Sequence, residues 1–221
     1  MSAHSLLTPR LLTHLCLIRQ LNLSNNRLCG VYYEHGTHHG NYNAEGINAI
    51  ADALRANGGL TVANLLGNQL DAESAKMLAE VAKQKGVSLC GIQRDQTTAD
   101  LSGHALKPPD AILLASDLSQ AVVTGGLTAL DLSSNDLMDE GVSAVCEAIQ
   151  SNKETKLASL DFEYNGISPG GANAVAAMVA VTPGALTKIR EFHVRFSRFV
   201  CVSLKLHDHK GMNGRCTVCE C

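Results

Sequence analysis

Residues 21–28 read LNLSNNRL, and this arrangement of apolar residues around an asparagine recurs along the 221-residue chain. The matching stretches are ANLLGNQL (63–70), ADLSGHAL (99–106), LDLSSNDL (130–137) and LDFEYNGI (160–167). The third residues of the five stretches are 23, 65, 101, 132 and 162, so the last two steps are nearly equal and the first two contain insertions. Such a period is typical of proteins built from repeated supersecondary units.

Each stretch is followed by a segment with the periodicity of an amphipathic helix. Apolar residues recur there at i, i+3, i+4 and i+7, which is the spacing of one helix face. The five sets are Ile47, Ile50, Ala51 and Leu54; Ala75, Leu78, Ala79 and Ala82; Ala111, Leu114, Ala115 and Leu118; Val142, Val145, Cys146 and Ile149; and Ala172, Val175, Ala176 and Val179. In the last four units the helix face begins at the same offset from the motif, so the two patterns form one unit.

The pattern L-x-x-L-x-L-x-x-N-x-L followed by a helix resembles the leucine-rich repeat of the ribonuclease-inhibitor-like type. The resemblance covers about residues 15–199. It implies an α/β fold, a leucine-rich repeat solenoid with short parallel strands on the concave face and helices on the convex face. Relatives of this type serve as inhibitors, innate-immune sensor domains and scaffolds, and the resemblance alone neither chooses among these roles nor names a partner.

The spacing within the motif has a physical reason. Alternate residues of a strand share a face, so Leu21 and Leu23 are expected to point inward while Asn22 and Ser24 point outward. The asparagines are expected to satisfy backbone groups that the turn leaves unpaired; they are Asn26, Asn68, Asn135 and Asn165. His104 takes this place in the third unit, which predicts an irregular turn there.

The first unit carries an insertion, CGVYYEHGTHHGNY at 29–42. We predict a glycine-punctuated surface loop that contacts a partner through Tyr32 and Tyr33, because loops on repeat scaffolds commonly determine specificity. A zinc site using His35 and His39 is the alternative. It is disfavoured because no helix is predicted there to hold the i, i+4 spacing.

A second insertion, VSLCGIQRD at 87–95, is apolar enough to form an extra short strand. The sequence Lys107-Pro108-Pro109-Asp110 follows the third motif. Proline suits the first turn of a helix and an acid suits its positive end, so this sequence predicts the start of the third helix.

The chain is predicted to divide into a repeat array at 1–199 and a divergent basic tail or cap at 200–221. The array would hold five units and a degenerate sixth strand, whose apolar residues are Ile189, Phe192, Val194 and Phe199. The tail contains Cys/His residues that support an alternative function, a metal-binding regulator; they are His207, His209, Cys216, Cys219 and Cys221. A single CxxC at a chain end is a weak metal signal.

Composition restricts the partner and the compartment. The formal net charge is −3, which favours neither nucleic acid nor membrane as a partner. No apolar run approaches the roughly 20 residues that span a bilayer. A signal peptide is the alternative interpretation of the apolar stretch Leu11–Ile18. We interpret this stretch as the start of the fold, because Thr13 and His14 interrupt it and no small-residue cleavage site is present. The 8 cysteines form no clear disulfide framework, which predicts reduced thiols and a cytoplasmic protein.

The outward strand face supplies the predicted binding site. Asp100, Asp131 and Asp161 take the same position in successive units, and neighbouring strands lie about 4.8 Å apart, within the Debye length of about 8 Å. These carboxylates would face a protein partner with a basic surface. The predicted partner-binding residues are Asp100, Asp131, Asp161, Glu163, Asn22, Asn64, Tyr32 and Tyr33.

The predicted function is therefore a non-catalytic protein–protein interaction scaffold without a metal or cofactor. No nucleophile, base and orienting group converge in the sequence, and no P-loop is present. A GTPase-activating protein of the leucine-rich-repeat type is the alternative enzyme-related function, for which Arg19 and Arg27 are the arginines nearest the first repeat. The sequence leaves the oligomeric state open.

Overall fold

The computed structural model describes residues 18–34, 37–181, 191–197, 200–205 and 219–220, and short strands alternate there with helices. The strands are β1 (Gln20–Asn22), β2 (Tyr32–Glu34), β3 (Thr37–His39), β4 (Val62–Asn64), β5 (Thr98–Asp100), β6 (Ala129–Asp131), β7 (Ser159–Asp161), β8 (Glu191–Ser197), β9 (Val200–Lys205) and β10 (Cys219–Glu220). The helices are α1 (Glu45–Ala56), α2 (Ala72–Lys85), α3 (Pro108–Leu118), α4 (Ala121–Thr124), α5 (Met138–Ser151) and α6 (Pro169–Val181).

The motif strands pair in parallel, as the repeat pattern predicts. Strand β1 pairs with β4, and β5, β6 and β7 form a second sheet in which Ala99, Leu130 and Leu160 are in register. Consecutive long helices pack side by side, with α3 between α2 and α5. This arrangement is an α/β repeat fold.

A left-handed residue lies three positions after the end of each of the five motif strands. The fifth residue of each motif has a positive φ; the residues are Asn25 (54°), Gly67 (72°), Gly103 (64°), Ser134 (56°) and Tyr164 (55°). Only two of the five are glycine, the residue that adopts this conformation at least cost. The turn is therefore maintained by the surrounding hydrogen bonds as well as by residue type.

The motif asparagines supply those hydrogen bonds, and they also connect consecutive units. Asn135 is buried, and its Nδ2 donates to the carbonyl oxygens of Leu101 (2.8 Å) in the preceding unit and Leu132 (2.9 Å) in its own. Its Oδ1 accepts from the backbone N–H groups of His104 and Leu106, both at 3.0 Å. Asn68 and Asn165 connect their units to the preceding ones by equivalent bonds. The predicted backbone role of the asparagines is confirmed.

The third unit departs from this scheme, as His104 predicts. The His104 ring is exposed, and its Nδ1 lies 2.7 Å from the carbonyl oxygen of Ser102 in the same turn. The connection to the second unit comes from Asp110 at the start of α3, whose Oδ1 accepts from the N–H of Gly67 at 2.8 Å. Burial raises the pKa of this carboxyl group. A helix-start acid therefore also connects two units.

The second insertion, predicted as an extra short strand, lies beside β4 and pairs with it through an isolated bridge and backbone hydrogen bonds. Ser88 forms a parallel bridge with Val62, and the Leu65 N–H donates to the carbonyl oxygen of Leu89 at 2.9 Å. The far side of this segment bonds to the Asp117 carboxylate of α3. That carboxylate accepts from Ser88 Oγ (2.7 Å) and from the N–H groups of Leu89 (2.8 Å) and Cys90 (3.0 Å).

On the side of β5 nearest the second insertion, a side chain also bonds to the backbone. Gln96 lies in the loop before β5, and its Nε2 donates to the carbonyl oxygen of Thr98 at 2.7 Å. Side chains therefore satisfy backbone groups on both sides of the junction between the two parallel sheets.

The predicted helix faces are buried or half-buried in the first four units. In α6 the inward face is formed instead by Gly171, Val175 and Met178, and the predicted core residue Ala176 is exposed. A Cβ atom on Gly171 would lie 2.6 Å from Asp139 Oδ1, so α6 approaches the start of α5 closely at this glycine. This contact orients the helix. The predicted face of α6 was therefore wrong at Ala176.

Two further expectations on the strands were wrong. Leu21 was expected to point into the core but is 39% exposed, because in the described part of the chain β1 has a motif strand, β4, on one side only. The alternation of strand residues also predicts that Val62 and Leu66 share the outward face with Asn64, but both are buried. The second insertion continues the sheet beside them, which the repeat pattern does not show.

Strand β8 coincides with the degenerate sixth strand and lies beside β7. It pairs antiparallel with β9, which pairs with β10. Ile189 and Phe199 lie outside the described residues, as do His207, His209, Cys216 and Cys221 of the tail. The division into an array and a tail remains a prediction. Among the helices that the structure describes, none is long and apolar enough to cross a bilayer.

Candidate functional site

Asp100, Asp131 and Asp161 form a row in register across the second parallel sheet. Asp100 lies opposite Asp131, which lies opposite Asp161. The residue before each aspartate is buried, so the aspartates alternate with core residues and lie on the outward face. We call these three residues the acidic row. The structure thus places the predicted carboxylates together.

Each aspartate of the row also helps to end its strand. The Oδ1 atoms accept from the backbone N–H two residues later, at 3.0 Å in Asp100, 2.9 Å in Asp131 and 2.9 Å in Asp161. Asn22 and Asn64 make the same bond in the first two units, at 3.0 and 3.2 Å. Because an amide and a carboxylate both serve here, the strand end does not require the negative charge.

Asp100 of the row is stabilised in its charged form. Hydrogen bonds from the Ser102 hydroxyl and backbone N–H lower the pKa of Asp100, because they stabilise its ionised form. Glu163 follows Asp161 on the same side of the strand end and is half-buried. The outward face of the sheet therefore presents the acidic row, and Glu163 adds a fourth carboxylate beyond Asp161.

The other predicted residues lie on other elements. Asn22 and Asn64 lie opposite each other in the β1–β4 sheet, and Gly91 of the second insertion approaches the Asn64 side chain. Tyr32 and Tyr33 belong to β2. The eight predicted residues thus fall into an acidic group, an amide pair and an insertion group.

The first insertion was predicted as a loop but forms an antiparallel hairpin of β2 and β3, in which Tyr32 lies opposite His39. Two left-handed glycines at its base, Gly30 (φ 73°) and Gly40 (φ 83°), allow the arms to approach. A Cβ atom on Gly40 would overlap the carbonyl oxygen of Gly30. The glycines that suggested an irregular loop instead permit close strand pairing.

Three side chains stack on this hairpin. The Tyr32 and His39 rings are parallel to within 19°, with their centroids 5.2 Å apart. The Arg27 guanidinium carbon lies 3.8 Å from the Tyr32 ring centroid, within cation–π distance. We call Arg27, Tyr32 and His39 the hairpin stack. Sequence reasoning named Arg27 only as an arginine near the first repeat and did not connect it with the inserted tyrosine.

The alternative zinc site is not visible in the described residues. His35 lies outside them, and His39 stacks on Tyr32. The described part of the chain contains no group of three or more His, Cys, Asp or Glu side chains placed to hold a metal.

Two exposed apolar side chains also lie beside the acidic units. Tyr164 is 53% and Met138 is 43% exposed, and both have positive φ. A Cβ atom on Gly166 would lie 2.7 Å from Met138 Sδ, so the methionine rests on the turn that contains Tyr164. Sequence reasoning missed both residues, because neither belongs to an apolar face of the repeat pattern.

A cavity of about 540 Å³ lies between the hairpin base and the starts of α2 and α3. Two pairs of polar groups there bond within the protein: Tyr42 OH contacts Ser74 Oγ at 2.7 Å, and Lys107 Nζ donates to Gln69 Oε1 at 2.7 Å. These contacts join neighbouring elements and resemble no catalytic arrangement of nucleophile and base.

Replacing Gly40 with alanine should open the hairpin. The change forces a side chain into a left-handed conformation and against Gly30, at a cost of about 1–3 kcal/mol. The Asn43 N–H, which donates to the carbonyl oxygen of Cys29 across the hairpin base, should then exchange at least about tenfold faster with deuterium. Gly58→Ala is the control, since a Cβ atom there meets nothing within 4 Å. Equal exchange at Asn43 in both variants would show that the glycine does not maintain the hairpin.

Comparison with known proteins gives one family match. A model described as Leucine Rich repeat matches residues 127–146 and 153–176. These segments contain the fourth and fifth motifs with the starts of α5 and α6, and two aspartates of the acidic row. No curated protein matches the chain at a significant level.

Proposed function

We propose that this leucine-rich repeat protein is a non-catalytic scaffold that binds a protein partner with a basic surface through the acidic row and the hairpin. Leucine-rich repeats generally mediate protein–protein interaction and are typically non-catalytic, which supports the class of function. We also propose that the repeats form a solenoid of the ribonuclease-inhibitor-like type and that the acidic row lies on its concave strand face.

The observation that carries the proposal is the register of the three aspartates. Adjacent strands lie about 4.8 Å apart, so neighbouring carboxylates repel each other, and the strand ends do not require their charge. A basic partner would relieve this repulsion and would also be attracted over a distance of about one Debye length. The row therefore suits recognition of lysine and arginine side chains.

The proposed compartment is the cytoplasm. Cys29, Cys90 and Cys146 are buried free thiols, and burial raises the pKa of each. Such thiols remain protonated at neutral pH and serve as small core residues, which fits a reducing environment.

Changing all three aspartates to asparagine tests the role of the row. The amide retains the Oδ1 acceptor that ends each strand, so the fold should remain while three charges are lost. We expect affinity for acetylated, amidated hexalysine to fall at least about tenfold at low salt, and the difference to shrink as salt is added. Isothermal titration calorimetry at two salt concentrations measures both effects.

The matched control is Glu73→Gln/Glu80→Gln/Glu147→Gln, which removes three exposed carboxylates from α2 and α5. Its net charge equals that of the aspartate variant. If both variants lose hexalysine affinity equally, net charge and not the row attracts the probe, and the proposal fails. If only the row variant loses hexalysine affinity, proteins captured from a lysate by wild type but not by the row variant are candidates for the natural partner.

A further inference from the structure

The hairpin stack holds a cation in a defined position on the surface. Arg27 is exposed, and its guanidinium group lies on the face of the Tyr32 ring. Stacking engages the flat face of a guanidinium group, whereas its N–H donors lie in the plane and point outward from its edge. The edge of the group therefore remains available for hydrogen bonds to a partner.

The support beneath Arg27 is constrained on several sides. His39 stacks on Tyr32, and both side chains start from paired positions of the hairpin. The Gly30 N–H donates to the carbonyl oxygen of Arg27 at 2.9 Å, which closes a tight turn between the arginine and the hairpin. Arg27 consequently loses part of its side-chain freedom before any partner binds, and such preorganisation improves affinity.

Arg27 has no carboxylate partner among the side chains that the structure describes. Arg55, by contrast, forms an ion pair with Asp52, which lies three positions earlier in α1. The cation–π contact with Tyr32 provides no negative charge and no hydrogen-bond acceptor in the guanidinium plane. A planar oxyanion would complete the interactions of this group.

We propose that Arg27, positioned by Tyr32 and His39, binds an aspartate or glutamate side chain of the protein partner. This inference rests on the proposed function, because it names the chemistry that the hairpin recognises. A carboxylate is planar and can accept two parallel N–H···O bonds from one guanidinium edge, which gives direction as well as attraction. The partner then carries both signs of charge, basic groups for the acidic row and an acidic group for Arg27, and this polarity fixes its orientation.

The test uses acetylated, amidated hexaglutamate as the probe, so that side chains supply its only carboxylates. In a two-dimensional NMR titration of the wild-type chain, the Nε–Hε signal of Arg27 should shift and saturate. We expect Arg27→Gln to weaken binding about tenfold. Arg27→Lys should weaken it by several-fold, because lysine retains the charge but loses the planar pair of donors.

Tyr32→Leu tests the stacking. In this variant Arg27 retains its full charge but loses the aromatic support, so hexaglutamate binding should weaken by several-fold. The Asn43 N–H, which donates to the carbonyl oxygen of Cys29, should remain protected from exchange. Unchanged hexaglutamate affinity in this variant would show that the stack does not position the arginine. The inference would also fail if Arg27→Gln bound like wild type, if the wild-type chain did not bind hexaglutamate, or if equimolar inorganic phosphate displaced it.

The same titrations separate this inference from the proposed function. Hexalysine affinity should depend on the acidic row and should not decrease in Arg27→Gln, whereas hexaglutamate affinity should depend on Arg27 and should not decrease in the row variant. Loss of the first dependence alone contradicts the acidic-row proposal. Loss of the second alone contradicts the carboxylate site.

Discussion

Asn135→Ala should lower the free energy of unfolding by about 3–5 kcal/mol, a large share of the 5–15 kcal/mol typical of natural domains. The alanine leaves five backbone groups without the asparagine that now bonds to them. They are the carbonyl groups of Leu101, Leu132 and Ser133 and the N–H groups of His104 and Leu106. Each unsatisfied buried group costs roughly 1–3 kcal/mol, and water entering the turn should recover part of this. Urea denaturation followed by circular dichroism measures the loss.

Asn26→Ala is the matched control in the first unit. Asn26 is exposed, and its Nδ2 bonds only to the Leu23 and Ser24 carbonyl groups of its own turn. We expect a loss below about 1 kcal/mol, because water can replace these bonds. Comparable losses in the two variants would mean that the turn geometry matters and the connection between units does not.

The location of the damage gives a second measurement. In Asn135→Ala the Leu106 N–H should exchange rapidly with deuterium, because it loses its acceptor. Stability of repeat proteins depends on the interfaces between neighbouring units, so the third and fourth units should separate before the whole chain unfolds. A single unfolding transition with protection retained at Leu106 would contradict this account.

Asp117→Ala is expected to have the second large effect, a loss of about 2–4 kcal/mol at pH 7. The Asp117 carboxylate is fully buried and accepts from Ser88 Oγ and from two backbone N–H groups of the second insertion. Without it, these donors lie at the junction of the two sheets with no acceptor. The loss is limited because ionising this buried carboxyl group at neutral pH is itself unfavourable.

The direction in which stability changes with pH tests the role of Asp117. Burial raises the pKa of Asp117 from 3.8 to about 6, so between about pH 4 and 6 the folded state binds a proton that the unfolded state has released. Wild-type stability should therefore fall as pH rises through this window, on the order of 2 kcal/mol from this group. Asp117→Ala lacks this contribution, and the variant should be more destabilised relative to wild type at pH 4.5 than at pH 7.

Chemical denaturation at both pH values measures these losses. The control variant is Asp95→Asn, which changes an exposed aspartate in the adjoining loop. The control variant should follow the wild-type pH profile. Burial also raises the pKa of Asp110, which should leave a smaller dependence of the same sign in Asp117→Ala. A variant whose loss grows toward neutral pH would contradict the assignment of the raised pKa to Asp117.

Local periodicity explains why much of this fold was predictable from the sequence. Leucines at alternate positions specify a half-buried strand, and apolar residues at i, i+3, i+4 and i+7 specify a helix face. In the fourth unit both patterns agree with the structure, from buried Leu130 and Leu132 to buried Val142 and Ile149. The same short-range rules place Asp100, Asp131 and Asp161 at equivalent positions. Their lateral register then follows from the stacking of equal units.

The conformation of the first insertion does not follow from local periodicity. The glycines at 30 and 40 are ambiguous in sequence, because a left-handed glycine suits both an irregular loop and the base of a hairpin. The stacking of Arg27 on Tyr32 depends on how the turn at Gly30 directs the chain, and no spacing rule contains that information.

By itself, the sequence determined the repeating strand and helix elements, the turns stabilised by asparagine and the positions of the acidic row. Only the tertiary structure decided which groups bond at the junction between the sheets. Asp117 appeared in sequence as a polar residue near the end of a helix, yet it bonds to backbone N–H groups 27 and 28 residues earlier. Asp110 likewise bonds to a group 43 residues earlier. Periodicity reflects neighbours along one element, whereas these bonds depend on which elements pack together after the chain has folded.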